Sequence, residues 1–278
     1  MKLSNKILIG FATAFFLIPL IIMGFQSQVN YKTGTVEAAD MARRKDNYRF
    51  DNPSENMTSI PLKAFRRVKM ADAQGNAYSF HFIKDDKFGV KIGNEFKDII
   101  SFNVSDSGDL EILAKSLQKN KYAEILIYGP SVSEFSIANV DALWLDAKSD
   151  SLIINAKKLQ SITLNSDISL NSLSIITDQV KEIITGDLNM KVLKLDLNGT
   201  NFSSQRSSYE LLDITATSDA KIEINGENKH SIKRLQINTR DLVSFNLKDI
   251  KVEQCSGSFS DDTKVEMPAV NLKQMFAK

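Results

Sequence analysis

The chain has 278 residues, 42% hydrophobic and 25% charged, with 35 basic against 34 acidic side chains and a net charge of +1. That is enough apolar material for a large core, in a composition ordinary for globular proteins. The near-neutral balance gives no electrostatic reason to expect nucleic acid as a partner. The single cysteine, Cys255, excludes a disulfide framework.

In chain order, Lys2 and Lys6 precede an apolar run from Ile7 to Phe25. As a helix this run reaches roughly 28 Å, close to the thickness of a hydrocarbon core. No small-x-small site follows it, so residues 1–25 read as an uncleaved transmembrane signal anchor rather than a cleaved signal peptide. The flanking lysines favour the N-terminus inside and the rest of the chain outside the cytoplasmic membrane, as a single-pass protein with a periplasmic C-terminal domain. Residues 26–61 are polar and charge-mixed and read as a tether. Residues 62–278 are the folded domain.

Strand signals begin at Leu62. Tyr78, Phe80 and Phe82 alternate with Ser79 and His81, and further runs follow at Phe88–Ile92, Ile100–Val104, Asp109–Ile112 and Ile125–Tyr128. These aromatic strands are expected to close one end of the fold, with the segment from Pro268 covering the other. Between them lies a ladder in which apolar, two residues, apolar, one residue, apolar returns repeatedly. The copies begin at Val140, Leu159, Val192, Tyr209, Ile232 and Leu242, with a partial copy at Val180. The separations suggest a strand-and-turn unit of about ten residues stacked many times. One such strand cannot bury its own apolar row, so each copy must be covered by the next. The expected fold is therefore all-β, a right-handed parallel β-solenoid preceded by a transmembrane helix. An antiparallel sandwich is the competing architecture. Turns rich in Asn, Ser, Asp and Gly, such as Asn155, Asn198-Gly199 and Asn225-Gly226, suit tight corners because Asn tolerates left-handed backbone. The stretch Ser203–Ser208 is expected to be a longer loop that breaks the rhythm.

The order Phe65-Arg-Arg-Val-Lys, Val90-Lys-Ile, Asp109-Leu-Glu-Ile112, Ile125-Leu-Ile-Tyr-Gly-Pro130, and then a Ser-rich ladder from Ser133 resembles the autotransporter-adhesin head (GIN) domain family of bacterial envelope proteins. The resemblance covers about residues 62–250 and rests on pattern. It implies a right-handed β-solenoid at the cell envelope. It brings no catalytic residue, cofactor or established ligand.

Residues able to carry chemistry are scattered. His81 and His230 lie far apart and lack the clustered ligands of a metal site, so no metal is expected. Cys255 reads as an inert thiol rather than a nucleophile. Asp146, Asp196 and Asp213 should point outward, and Asp85-Asp86 and Asp261-Asp262 fall in turns; solvated surface accounts for all of them. A pair of acids on neighbouring rungs is what a polysaccharide hydrolase or lyase of solenoid fold would need, and this is the alternative function. In Leu143-Trp144-Leu145 the leucines should face inward and Trp144 outward. Trp144 should then share a face with Asp146 and a column with Thr163, Asp196, Asp213 and Gln236. Trp144 and Asp146 are the candidate binding residues, for an envelope glycan or a protein partner; packing of the indole under the tether or the aromatic strands is the other reading. No catalytic residue, cofactor or enzymatic activity is expected. The chain reads as a non-enzymatic, membrane-anchored envelope protein with a structural, adhesive or ligand-binding role.

Overall fold

A computed structural model describes residues 49–54, 56–115, 122–164, 166 and 168–276, together with Lys6, Phe15, Ile18, Pro19 and Met23. The chain divides into two units, Met1–Tyr48 and Arg49–Lys278. In the first, the five described residues are helical and exposed. Among the described residues no helix is long and apolar enough to cross a membrane. Most of the anchor expected over residues 1–25, and most of the tether, lie outside the described residues.

The second unit is a β-solenoid in which one continuous sheet contains every strand of the described residues. Its regular part begins with β8 (Glu134–Lys148), β9 (Ser151–Leu164) and β10 (Ser172–Gly186). It continues through β11 (Asn189–Asn198), β12 (Asn201–Gln205), β13 (Ser208–Thr217), β14 (Lys221–Asn225), β15 (Ser231–Thr239), β16 (Ser244–Lys248), β17 (Lys251–Ser258) and β18 (Lys264–Glu266). These strands wind about six turns, each pairing in parallel with the strand one turn away. Parallel pairing throughout this region rules out the antiparallel sandwich.

Each turn has two faces, and each face carries its own apolar columns. On the first face Val68, Phe135, Ile154, Ile175, Leu195, Ile214 and Ile237 stack in register. On the second, Tyr78, Leu143, Ile162, Ile183, Phe202, Ile222, Phe245 and Val265 do the same. The ten-residue unit is therefore half a turn: successive units lie on opposite faces, and a residue stacks on one about twenty positions away. The copies starting at Val140, Leu159 and Val180 are aligned in the structure. Val192 and Leu242 are not true copies. Met190, Tyr209 and Ile232 share a column, Val192 sits beside Leu211, and Leu242 is exposed while Val243 is buried. Alternation alone could not decide this, because Val192 and Leu193 are both apolar and only one can point inward.

The faces join at corners with left-handed backbone. Asn139, Lys158 and Gln179 have φ of 59°, 57° and 58°, each bending one long strand across both faces. At the opposite corner Asp187, Arg206 and Glu227 have φ of 54°, 47° and 51°. There Arg206 grips Asp187 with Nε (2.8 Å) and Nη2 (2.9 Å), and reaches Glu227 with Nη1 at 3.3 Å. The corners are thus not the preserve of Asn. Asn155, read as a turn, lies within β9 and donates to Glu134 at 2.7 Å. Ser203–Ser208 is not an insertion either, since Phe202 and Ser204 continue the columns of β12. Ser204 fills an apolar slot because the Tyr209 hydroxyl meets its Oγ at 2.8 Å and Thr185 Oγ1 at 3.0 Å, satisfying all three buried groups.

The N-terminal strands depart from chain order. β2 (Arg67–Met70) and β3 (Asn76–Lys84) form a turn that pairs with β8 on one side. On the other side it pairs with β6 (Asp109–Ala114) and β7 (Tyr122–Gly129). The turn made later in sequence is therefore outermost. Antiparallel strands cover it: β1 (Met57–Pro61) on β4 (Gly89–Gly93), β4 on β7, and β5 (Ile100–Val104) on β6. Antiparallel pairing at an end closes what would otherwise be an open parallel edge. Helix α1 (Ala269–Phe276) lies against β17 at the other end, where Asn271 donates to the Val252 carbonyl at 3.3 Å.

The segment from Arg49 to Pro61, read as tether, belongs to the folded unit. Phe50 packs edge-on against Tyr128. The fully buried Lys91 ammonium donates to the carbonyls of Arg49 (2.9 Å) and Asn52 (2.8 Å) and lies 5.3 Å from the Tyr128 ring.

Candidate functional site

A cluster of interacting ionisable and aromatic side chains lies on the outer surface of β7, β3 and β8. Register sets it. Glu124 pairs with Ser79 and Ser79 with Trp144; two residues on, Leu126 pairs with His81 and His81 with Asp146. Because alternate residues share a face, Ser79 and His81 point outward while Tyr78, Phe80 and Phe82 fill the core. Phe80 and Phe82 pack with Phe135, ring centroids 4.7 and 5.3 Å away, so the surface rests on a rigid aromatic layer.

His81 sits between two carboxylates. Its Nδ1 is 2.9 Å from Asp146 Oδ2, and its Nε2 is 3.1 Å from Glu124 Oε1 and 3.1 Å from Ser79 Oγ. Burial pushes the imidazole pKa down, but the hydrogen bonds to Asp146 and Glu124 outweigh it, and the ring is pushed up to about 9. At neutral pH it is an imidazolium that donates from both nitrogens. The contacts from Ser79 through His81 to Asp146 look like the beginning of a nucleophilic triad, but the charge state reverses the roles. A general base must have a free lone pair at the nitrogen facing the hydroxyl. Here that nitrogen carries a proton, and Ser79 Oγ is an acceptor. The imidazolium also occupies the space between Asp146 and Glu124, where a glycosidic bond would have to enter if the two acids acted together.

Trp144 points outward and is half-buried. Its ring meets Tyr122 edge-on, centroids 5.9 Å apart, and Tyr122 is 58% exposed. The indole thus lies between the two expected alternatives: it is packed in part, against Tyr122 of the aromatic N-terminal strands, and keeps a minor part of its surface exposed. Asp146 is on the same face, as expected. The column differs. Above and below Trp144 are Ser79 and Thr163, followed by Ile184, Ser203 and Glu223. Asp196, Asp213 and Gln236 belong to the other face, where Asp213 pairs with Gln236 and Asp196 lies in a neighbouring column. Tyr122, Glu124 and His81 were missed as site members because the turn carrying Glu124 stacks out of sequence order.

Elsewhere, His230 Nδ1 lies 2.8 Å from the Gly226 carbonyl in its turn. Cys255 is buried, and burial pushes its thiol up to about 11, which removes thiolate at neutral pH. Among the described residues no group of three His, Cys, Asp or Glu is placed to hold a metal ion. Asp109 is almost fully buried. Hydrogen bonds from Lys69 (2.5 Å), Arg67 (2.6 Å) and Ser107 (3.0 Å) outweigh its burial and hold its carboxyl down at about 2.

No protein-family profile and no curated protein matches the chain. Among solved structures, a candidate adhesin from Parabacteroides merdae is similar at 13% identity and TM-score 0.43, over 76% of this chain and 95% of the other. One from Parabacteroides distasonis is similar at 12% identity and TM-score 0.46, over 78% and 95%. A candidate lipid-binding protein from Parabacteroides distasonis is similar at 13% identity and TM-score 0.30, over 76% and 96%. At such scores none of these likenesses transfers a ligand or an activity to this chain, which is similar to adhesin structures in outline alone.

Proposed function

We propose that this chain is a non-enzymatic binding or adhesive protein of the bacterial envelope, with Trp144 and Asp146 in its contact surface. The carrying observation is the Trp144–Tyr122 pair, aromatic and part-exposed, beside a polar rim already fixed by hydrogen bonds. Rigid aromatic area next to ordered hydrogen-bonding groups suits a sugar ring or a protein anchor residue, because little side-chain freedom is lost on binding. The doubly paired His81 weighs against the alternative, a polysaccharide hydrolase or lyase using these acids.

The sole tryptophan makes a direct test possible. Emission from the full chain should be partly quenched by iodide, and adding a soluble cell-wall glycan should shift it and protect it. Trp144→Phe should abolish the signal, and Asp146→Asn should weaken binding. Unchanged emission with every glycan and envelope extract tried, or release of new reducing ends that depends on Asp146 and Glu124, would reject this reading. The proposal also places the N-terminal segment in the cytoplasmic membrane with the solenoid in the periplasm. A phosphatase active only in the periplasm, fused after Lys278, should then be active; a silent fusion rejects that placement.

A further inference from the structure

A cleft of about 580 Å³ lies at the corner where the chain enters β6, β2 and β8, away from the Trp144 column. Its walls come from Arg66 and Arg67 at the start of β2, Ser107 and Gly108 before β6, and Ser131 and Ser133 before β8. Phe88 and Phe65 back it, edge-on with centroids 5.4 Å apart. Phe88 packs closely over Gly129, where an added Cβ would stand 3.3 Å from Phe88 Cδ1. Backbone bonds hold the three entering segments together: Arg66 N–H donates to the Gly108 carbonyl at 3.2 Å and Ser133 N–H to the Arg66 carbonyl at 3.0 Å.

The charges in the cleft are unequal in their commitments. Arg67 and the neighbouring Lys69 both bind the buried Asp109 carboxylate. Arg66 is exposed and makes no ion pair among the described residues. The whole Arg66 guanidinium is thus uncommitted, in a cleft with the Ser131 hydroxyl at its side and an aromatic ring behind; Ser133 Oγ donates to the Arg66 carbonyl at 3.3 Å and can still accept, while Ser107 donates to Asp109. A guanidinium fork matches a carboxylate in bidentate geometry.

We propose that this cleft binds one hexuronic-acid residue of an acidic polysaccharide, with its carboxylate on Arg66, its hydroxyls on Ser131 and Ser133, and its ring against Phe88. The site is separate from the Trp144 surface and stands or falls independently of it. Calorimetric titration of the full chain with glucuronate, with glucose as neutral control and inorganic phosphate as competitor, tests it. Glucuronate should bind about tenfold or more tighter than glucose, the effect of one charge-assisted contact. Arg66→Gln should remove that difference, Ser131→Asp should abolish binding by setting a carboxylate against Arg66, and Trp144→Ala should leave it unchanged. Equal affinity for glucose, full affinity in Arg66→Gln, displacement by phosphate at equal concentration, loss of binding in Trp144→Ala, or no heat at all would each overturn the proposal.

Discussion

The regular turns from β8 to β18 and the irregular ones from Arg49 to Gly129 solve the same problem differently. In the regular part the columns are mostly aliphatic, with Phe135, Phe202, Tyr209 and Phe245 among them, about one turn apart, and order in space follows order in sequence. In the N-terminal part the core is aromatic, through Tyr78, Phe80, Phe82 and Phe65. One turn is inserted between a later one and β8, and ionisable groups are built into the packing, including Lys91, Asp109 and His81. Repetition yields a surface of interchangeable polar positions. Breaking it brings residues such as Glu124 and Asp146, distant in sequence, onto one imidazole. Both candidate binding surfaces lie where the repeat is broken.

Substitutions can sharpen this contrast. The largest effects should come from the core of either part. Phe80→Ala should cost about 3–5 kcal/mol and Leu195→Ala about 2–5 kcal/mol in denaturant unfolding. The first removes a ring that touches three others, whereas neighbouring turns can partly close over the second. If Leu195→Ala left stability unchanged, the inward register of β11 would be wrong.

The next effect is pH-dependent and belongs to the N-terminal part alone. The folded His81 pKa of about 9 lies above the ordinary 6.5, so folding favours the protonated form. Its stabilising contribution is complete below about pH 6.5 and is lost as pH rises through about 9. It is on the order of 2 kcal/mol after allowing for partial exposure. Stability should decline between pH 6.5 and 8.5 in the wild type and stay flat in His81→Gln. The buried Cys255 thiol contributes a decline only above about pH 9, where it would ionise in the unfolded chain, so the lower window isolates His81. A wild-type profile that is flat or rises across the window would show that the imidazole is not held charged.

The smallest effect should be on the outer surface of the regular part, where Asp196→Ala should stay within about 0.5 kcal/mol. A large cost there would mean that this face, and not only the N-terminal one, is held by specific contacts.

Much of this was legible in the sequence. Period two with a recurring apolar triplet was enough for a stacked parallel ladder and for the inward Leu143, Leu145, Leu164 and Leu195, because a buried row must be apolar wherever it recurs. Three things were hidden. The doubling of the period was obscured because both faces use the same apolar pattern. The buried Ser204 looked like a loop residue because its partner, the Tyr209 hydroxyl, is visible only in three dimensions. The site was half legible: alternation sent Trp144 and Asp146 outward, but the displaced order of β6 and β7 put Glu124 and Tyr122 beside them. No local signal specifies that order.

The central claim is that contact chemistry is confined to the irregular N-terminal turns and to β8, the first regular strand, on which they stack, while the later turns are scaffold. Amide chemical-shift mapping of the ¹⁵N-labelled full chain, titrated with a soluble cell-wall glycan, tests it most directly. Perturbations should cluster at Ser79–His81, Tyr122–Glu124 and Trp144–Asp146, with a second group at Arg66, Gly108 and Ser131 when the glycan is acidic. Perturbations centred instead on Asp196, Asp213 and Gln236, with the Trp144 region silent, would contradict it.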